Sequence, residues 1–317
     1  MTKNTNKPIF VSWTRENGRS SDLAKALDAD LFHVYPKGNL LMRYLASAVV
    51  SRRLIGSLGR EQSAILMLPP APLAIIARFV RGKAHVYNFY DLHTGFFYDP
   101  KWRWASYFSL RLMRGAKAIV TNGNLAELCE EKGVRTHVLH DILHQHKRAA
   151  SPGPYIVCPV SYSNDEPIER LLTAAANMPQ TSWLFTGSAP EDVRSIAPSN
   201  VSFSGFLDDE AYDEVISNAL IVVALTNRRD TMQRAGYEAI MRGVPVVTSD
   251  FEVLKCFFED SAVYVAEGET DLEQRVELAI ERRSAFAARA EQVLEKRILE
   301  QRAELAALRQ ALNGATA

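Results

Sequence analysis

The sequence lacks the features that mark several large protein classes. Its 317 residues contain three cysteines, which have neither disulfide nor zinc spacing, and no run of about 20 apolar residues that would cross a membrane. The first residues, MTKNTNKPIFVSW, have no apolar run of signal-peptide length, so we expect a cytoplasmic protein. No GxGxxG follows the first predicted strand, which argues against a Rossmann dehydrogenase. We also expect no nucleic-acid partner.

Charge is balanced overall but unevenly distributed. Residues 1–150 contain 22 Lys and Arg against 11 Asp and Glu, whereas residues 151–317 contain 15 against 26. Such asymmetry indicates different partners for the two halves. The basic half would hold a phosphate-bearing acceptor or lie against anionic lipid headgroups. Alternatively, the opposed charges help two lobes to face each other.

Short apolar strands alternate with helices, which predicts an α/β protein with a mostly parallel sheet in each half. Strands are predicted near residues 8–13, 30–35, 64–68, 84–89, 118–121 and 136–139, and again near 155–159, 183–186, 201–204, 219–225, 244–248 and 262–265. The polar, Pro- and Gly-containing stretch at 140–154 is the expected linker. Its three histidines lack the further ligands of a metal site. We therefore expect domains at 1–145 and 146–270, followed by a helical tail at 271–317.

The stretch TNRRDTMQRAGYEAIMRGVPVVTSD, residues 226–250, predicts a loop, a helix and a strand. The helix is expected to start at Asp230-Thr231, with either residue as N-cap, and to end just before Gly243. A helix that opens after a parallel strand binds phosphates through its free N–H groups and its dipole. Arg228, Arg229 and Arg234 add positive charge at the same turn. Asp230 and Glu238, eight residues apart, are then available to bind hydroxyl groups.

This segment resembles the C-terminal signature of retaining GT-B glycosyltransferases, especially glycosyltransferase family 4. In that family two acids eight residues apart accompany a helix that ends in Gly-Val-Pro-Val-Val, as residues 243–247 do here. Glu238 matches the second acid, whereas the first, usually Glu, is Asp230. The resemblance implies GT-B architecture: two Rossmann-like lobes with parallel sheets, an active site in the cleft between them, and a long C-terminal helix crossing back. A coiled-coil dimer is the competing interpretation of that tail.

The resemblance also implies roles for individual residues. Glu238 would bind the ribose hydroxyls, whereas its alternative role is an exposed helix acid paired with Arg242. Asp230 and His93 are the expected catalytic residues beside the donor sugar. The remaining expected nucleotide-sugar contacts are Arg229, Arg234, Thr231, Met232, Gly187, Phe206 and Gly18. The family's usual Arg and Lys after the first C-terminal strand are missing from residues 160–166, so either the arginines near 230 or Arg15 and Arg19 supply that charge.

The expected activity is transfer of a hexose, from a UDP-sugar, to a saccharide or polyprenyl-linked acceptor, with retention and without cofactor or metal. Bacterial surface-polysaccharide synthesis is the context that the resemblance suggests. The alternatives are a nucleotide-sugar 2-epimerase of the same fold and a non-catalytic partner subunit of a glycosyltransferase. The helix predicted at 40–58 carries Arg43, Arg52 and Arg53 beside apolar residues. It either lies peripherally on the inner face of a membrane or packs on the core.

Overall fold

The computed structural model describes residues 7–92, 103–146, 152–268 and 271–313. The chain divides into two compact units, of which the first comprises Met1–Ile142 with Glu300–Ala317 and the second comprises Leu143–Leu299. The division falls at the start of the polar stretch that was expected to be the linker. The C-terminal residues from 271 onward are shared between the two units.

The first unit contains a six-stranded parallel sheet. Its strands are β1 (Ile9–Ser12), β2 (Asp30–His33), β3 (Ala64–Leu68), β4 (Asn88–Leu92), β5 (Lys117–Val120) and β6 (Arg135–Val138), in the order β2-β1-β3-β4-β5-β6. Its helices are α1 (Gly18–Ala26), α2 (Leu40–Gly56), α3 (Pro72–Arg81), α4 (Arg103–Leu112) and α5 (Gly123–Glu130). The predicted alternation of strands and helices is confirmed.

Alternate residues of each strand face opposite layers of helices, as the two-residue period of a strand requires. Val11, Leu66 and Tyr90 lie in a buried cluster with residues of α2, α3, α4 and α5. Phe10 and Ile65 face the other side, where α1 packs. The sheet is therefore buried on both faces, as is usual for parallel sheets.

The fourth strand differs from its prediction of 84–89. Residues Gly82–Tyr87 form a 3-10 helix, and β4 starts only at Asn88. Gly82 leaves α3 with a positive φ of 54°, and the His85 ring contacts the carbonyl oxygens of Gly82 and Arg114 at 2.9 and 2.8 Å. These contacts hold the tight turn, so the apolar residues of the segment pack from a helix rather than from a strand.

The second unit contains another six-stranded parallel sheet. Its strands are β7 (Tyr155–Cys158), β8 (Ser182–Thr186), β9 (Val201–Gly205), β10 (Ile221–Ala224), β11 (Val246–Ser249) and β12 (Ala262–Val265), in the order β12-β11-β10-β7-β8-β9. Its helices are α6 (Ile168–Asn177), α7 (Glu191–Ile196), α8 (Asp209–Ser217), α9 (Arg234–Met241), α10 (Glu252–Phe258) and α11 (Leu272–Glu281). This order is that of a Rossmann fold.

Each sheet has one point at which the strand order reverses. In the first unit it lies between β1 and β3, and in the second between β7 and β10. Open α/β sheets bind ligands beyond the carboxyl ends of the strands at this point. The loops that follow β7 and β10 are therefore the first place to examine in the second unit.

The last helix, α12 (Arg283–Asn313), contributes to both units. Phe286, Ala290 and Leu294 are buried in the second unit. Leu308 and Leu312 are buried with Phe10 in the first unit, on the face of the sheet that α1 covers. The crossing back of the C-terminal helix is confirmed, and these five apolar residues are buried within one chain.

Candidate functional site at the switch point of the second sheet

The loops that follow β7 and β10 are joined by direct hydrogen bonds. The amide of Asn227 donates to the carbonyl oxygen of Asp165 at 2.7 Å, and the Thr226 hydroxyl donates to the Asp165 carboxylate at 3.2 Å. Arg228 donates to Asn164 Oδ1 at 2.7 Å and pairs with Asp165 at 3.4 Å. The switch point is thus built as one polar surface from two loops.

The loop after β7 binds a carboxylate of its own chain. The amides of Ser161 and Ser163 donate to Glu166 at 3.0 and 2.9 Å, and Tyr162 between them has a positive φ of 59°. Successive amides around a left-handed residue form a concave anion-binding nest. Glu166 occupies this nest, and the loop has no basic residue. The loop after β10 is therefore the better candidate for binding a phosphate.

Helix α9 is a rigid platform beside that second loop. Every residue from Ala235 to Met241 is buried. Tyr237 meets Phe257 edge-on, with ring centroids 4.8 Å apart. A Cβ on Gly236 would lie 2.7 Å from the ring of Phe258, so only glycine allows this approach without displacing the ring. The helix ends at Met241, and Gly243 lies just past its end with φ 63°, as the sequence predicts.

Glu238 is fixed on this helix between two side chains. It is only 9% exposed. Its Oε2 accepts a hydrogen bond from the Tyr212 hydroxyl at 2.7 Å, and its Oε1 accepts one from Arg234 Nε at 2.7 Å. Burial and the neighbouring Glu238 charge raise the pKa of Tyr212 well above its usual range, so this hydroxyl remains a donor. The carboxylate is oriented without using all of its lone pairs.

Arg242 is not the partner of the Glu238 carboxylate. It donates instead to the carbonyl oxygen of Glu238 at 2.6 Å and pairs with Asp213. The spacing of four residues allowed either Arg234 or Arg242 to pair with Glu238, and the fold of α8 against α9 decides between them by placing Asp213 near Arg242.

The predicted start of the helix at Asp230 is wrong. The helix begins at Arg234, and its N-cap is Gln233, whose side chain makes no capping hydrogen bond. Asp230 therefore lies in the preceding loop with Thr231 and Met232, where the Thr231 amide donates to the carbonyl oxygen of Arg228 at 3.2 Å. Partial burial raises the pKa of Asp230 above its usual value. An uncapped first turn leaves the helix end suited to an anion.

Two buried polar atoms in this loop have no hydrogen-bond partner among the residues that the structure describes. They are Thr231 Oγ1 and Gln233 Oε1, while Gln233 Nε2 donates to the carbonyl oxygen of Leu225 at 2.8 Å. Buried polar atoms are almost always satisfied in native proteins, so such a pair calls for an explanation. Gln233 was not foreseen as a site residue, although its place directly before the helix was a usable signal.

Gly187 and Phe206 lie at the carboxyl ends of β8 and β9. Gly187 has φ 77°, and a Cβ there would lie 2.3 Å from the carbonyl oxygen of Val160. Its backbone therefore packs directly on the loop that follows β7. Phe206 follows Gly205 and is 86% exposed. An exposed aromatic ring at this edge is available for stacking on a planar ligand.

The other predicted residues belong to the first unit or are exposed beside this switch point. Gly18 begins α1, and Arg19 next to it is buried. Arg19 donates to Asp91 at 2.9 Å and to Asp141 at 3.1 Å. It is therefore neutralised inside this unit rather than available for a phosphate. His93 lies outside the described residues. Arg229 is exposed in the second unit, beside Asp230.

A pocket opens at the switch point of the first sheet. It lies beyond the ends of β1 and β3 and is lined by Trp13, Tyr35, Leu40, Arg43, Tyr44, Ser47, Pro69 and Pro70. Trp13 meets Tyr44 edge-on at 5.6 Å, and the Arg43 guanidinium lies 4.4 Å from the centre of the Tyr35 ring. Trp13 Nε1 also donates to Ser51 at 2.7 Å. The aromatic walls are thus held in place by their own contacts.

Across the described ranges, no group of three or more His, Cys, Asp or Glu side chains is arranged to hold a metal ion. No helix within those ranges is long and apolar enough to span a membrane.

Comparison with known proteins relates part of the chain to one family. Residues 165–307 match the family described as glycosyl transferase-like. No curated protein matches the sequence. Sucrose-phosphate synthase from Thermosynechococcus elongatus is 15% identical and superposes with a TM-score of 0.76 over 96% of this chain and 98% of its own.

Two further solved structures share the fold. HepE from Anabaena, in complex with UDP-glucose, is 14% identical, with a TM-score of 0.73 over 98% of this chain and 99% of its own. A mutant of TarM from S. aureus, in complex with fondaparinux, alpha-GlcNAc-glycerol and UDP, is 12% identical, with a TM-score of 0.67 over 84% of this chain and 59% of its own. Two parallel Rossmann-like sheets, a C-terminal helix shared by both units and the likeness to these solved structures show that the chain has the GT-B fold, and its residues 165–307 match the glycosyl transferase-like family.

Proposed function

We propose that the protein transfers a hexose from a UDP-sugar to a saccharide or lipid-linked saccharide acceptor, with retention of the anomeric configuration. The observation that carries this proposal is the Glu238 carboxylate, which is buried at the switch point and held by Tyr212 and Arg234. HepE and TarM, which share the fold, were solved with UDP-glucose and UDP. These ligands support uridine as the base.

The ribose is the part of the donor that Glu238 suits. Each carboxylate oxygen accepts one hydrogen bond from the protein and retains a lone pair for a sugar hydroxyl. Hydrogen bonds to a carboxylate contribute roughly 1.5 to 3 kcal/mol each. The two unpartnered atoms, Thr231 Oγ1 and Gln233 Oε1, would be satisfied by the same ligand. Phe206 and the backbone at Gly187 would then hold the base.

The diphosphate would lie against Arg229, Arg234 and the uncapped first turn of α9. During transfer, the bond between the anomeric carbon and the phosphate oxygen breaks, and a bond to the acceptor oxygen forms on the same face of the sugar. The acceptor's proton passes to the leaving diphosphate oxygen. Fixed positive charge and helix dipoles stabilise the negative charge that develops there.

Asp230 would bind a hydroxyl of the donor sugar, which requires its ionised form. Burial raises the pKa of Asp230. As the pH is lowered, Asp230 should therefore become protonated, and lose its affinity for a hydroxyl donor, at a higher pH than an exposed aspartate would. His93 stays a predicted catalytic residue of the first unit. We place the reaction in bacterial surface-polysaccharide synthesis, on the basis of the sequence resemblance alone.

The acceptor would occupy the pocket of the first unit. Trp13, Tyr35 and Tyr44 offer aromatic faces to the apolar faces of sugar rings, and Arg43 offers a cation for a phosphate or acidic sugar. Glycan recognition by stacked aromatic rings requires rings that are already oriented. The contacts among Trp13, Tyr44 and Ser51 provide that orientation.

Donor turnover distinguishes this proposal from its two rivals. Purified protein is incubated with UDP-glucose and related UDP-sugars, UDP release is measured, and the first-formed sugar anomer is identified by proton NMR before mutarotation. The proposal predicts UDP release and an α-anomer from an α-linked donor. A β-anomer would contradict retention. A sugar inverted at C2 would indicate a 2-epimerase, and tight donor binding without turnover would indicate a partner subunit.

A further inference from the structure

The outer surface of helices α2, α3 and α4 carries large apolar side chains that no other part of the described chain covers. On α2 these are Leu40, Leu41, Met42, Leu45, Val49 and Val50, with Leu41 69% exposed. Phe79 on α3 is 75% exposed, and Trp104 on α4 is 68% exposed. The three helices are neighbours, since α3 packs against both α2 and α4 on one face of the sheet.

Over residues 40–51, the polarity of α2 is the reverse of that expected for a helix facing water. Its inner face places Ser47 and Ser51 against the unit, where Ser47 donates to Val34 and Ser51 accepts from Trp13. Its outer face carries Leu41 and Leu45, which are one turn apart. A helix beside water normally turns its apolar stripe inward. This helix is therefore built to have apolar surroundings on its outer side.

The charge of the three helices identifies those surroundings. Together they hold seven arginines, three in α2 and two each in α3 and α4, and not one Asp or Glu. Arg52, Arg53, Arg103 and Arg111 are exposed. Basic residues beside exposed leucine, phenylalanine and tryptophan match the interface of an anionic bilayer, where apolar side chains enter the acyl boundary and cations meet the headgroups.

We propose that the outer surface of α2, α3 and α4 docks the protein on an anionic lipid bilayer. The start of α2 supplies both this surface and the wall of the aromatic pocket, through Leu41 on the outside and Leu40, Arg43 and Tyr44 at the pocket. A lipid-linked ligand could therefore reach the pocket from the bilayer. The docking itself needs no donor and does not rest on the proposed transfer activity.

Vesicle flotation tests this proposal. The full chain is mixed with vesicles of phosphatidylglycerol and phosphatidylcholine, or of phosphatidylcholine alone, without any nucleotide-sugar. We expect the protein to float with the anionic vesicles and to remain in solution with the neutral ones. Raising the salt from about 0.1 to 1 M shortens the screening length from about 10 to 3 Å and should weaken the binding.

Matched variants locate the surface. Leu41→Asp with Leu45→Asp should lower the partition coefficient at least about 100-fold, because two leucines no longer enter the apolar layer. The control is Ile196→Asp with Leu299→Asp, two equally exposed apolar residues of the second unit with the same change in charge. The control should float as the unaltered chain does.

A second pair of variants tests the electrostatic part. Arg52→Ala with Arg53→Ala should lower partitioning about 30-fold, since each basic residue near an anionic surface contributes roughly fivefold. The control is Arg282→Ala with Arg302→Ala, where Arg282 is exposed between α11 and α12 and Arg302 is exposed on α12; it should leave partitioning unchanged. Absence of flotation, or unchanged flotation of the Leu41/Leu45 variant, would overturn the proposal. So would a dimer that dissociates in that variant and shows no affinity for vesicles.

Discussion

The close approach of Gly187 to the loop after β7 can be tested with a single methyl group. Gly187 and Gly205 both have positive φ, 77° and 71°, and form an isolated bridge with each other. Alanine in either position costs about 1 to 2 kcal/mol for the left-handed backbone alone. At Gly205 the added Cβ has open space around it, whereas at Gly187 it would lie 2.3 Å from the carbonyl oxygen of Val160.

The difference between the two alanine variants therefore isolates the contact. To reach ordinary van der Waals distance the Val160 carbonyl must move by about 1 Å, and such overpacking costs roughly 1 to 3 kcal/mol. We expect Gly187→Ala to lower the free energy of unfolding of the second unit by about 2 to 5 kcal/mol, against about 1 to 2 for Gly205→Ala.

Urea unfolding, read by hydrogen-exchange mass spectrometry on peptides of the second unit, measures both variants under the same conditions. Local reading is needed because a chain of two units does not have to unfold in one step. Equal destabilisation by the two variants would refute the reasoning, because it would mean that the loop after β7 does not press on Gly187.

Two further predictions concern buried groups of this protein. Tyr212→Phe removes the donor to Glu238 Oε2 and should lower the free energy of unfolding in urea by about 1.5 to 3 kcal/mol, because a hydrogen bond to a charged group is lost. In a Glu238→Gln background, where the acceptor is neutral, the same substitution should cost only about 0.5 to 1.5 kcal/mol, and equal losses would contradict the pairing. Thiol labelling of the native protein near pH 8, read by mass spectrometry, should modify the exposed Cys256 first, because burial raises the pKa of Cys129 to about 12 and that of Cys158 well above its usual value. Labelling of either buried thiol at the rate seen in denatured protein would contradict the described core.

Sequence patterns predicted the fold because buried parallel strands are short, β-branched and separated by helices. All twelve strands of the described residues were anticipated, and among these the fourth alone was misplaced substantially. That segment, 82–87, is as apolar as a strand, but the positive φ at Gly82 and the contacts of His85 shape it into a 3-10 helix. The N-cap of α9 was placed three residues too early, at Asp230 instead of Gln233, since Asp230 is a good N-cap by residue type.

The site was harder to predict, because its geometry depends on residues distant in sequence. Tyr212 precedes Glu238 by 26 residues, and no local pattern connects them. The hydrogen bond from Arg19 to Asp91 likewise joins residues distant in sequence, which the pairing of strands brings together. By contrast, Glu238 was selected because its whole segment resembles the signature of glycosyltransferase family 4, and the features of that signature are local in sequence. Its role in donor binding stays a prediction.

Donor binding by Glu238 is the central claim, and calorimetry tests it most directly. UDP-glucose is titrated without metal into the unaltered chain, Glu238→Gln, and Glu277→Gln as a control at an exposed position of α11. The account predicts binding to the unaltered chain and to the control, with affinity at least tenfold weaker for Glu238→Gln, since about 1.5 to 3 kcal/mol of charge-assisted hydrogen bonding is lost. Equal affinity of all three proteins for the donor would contradict it.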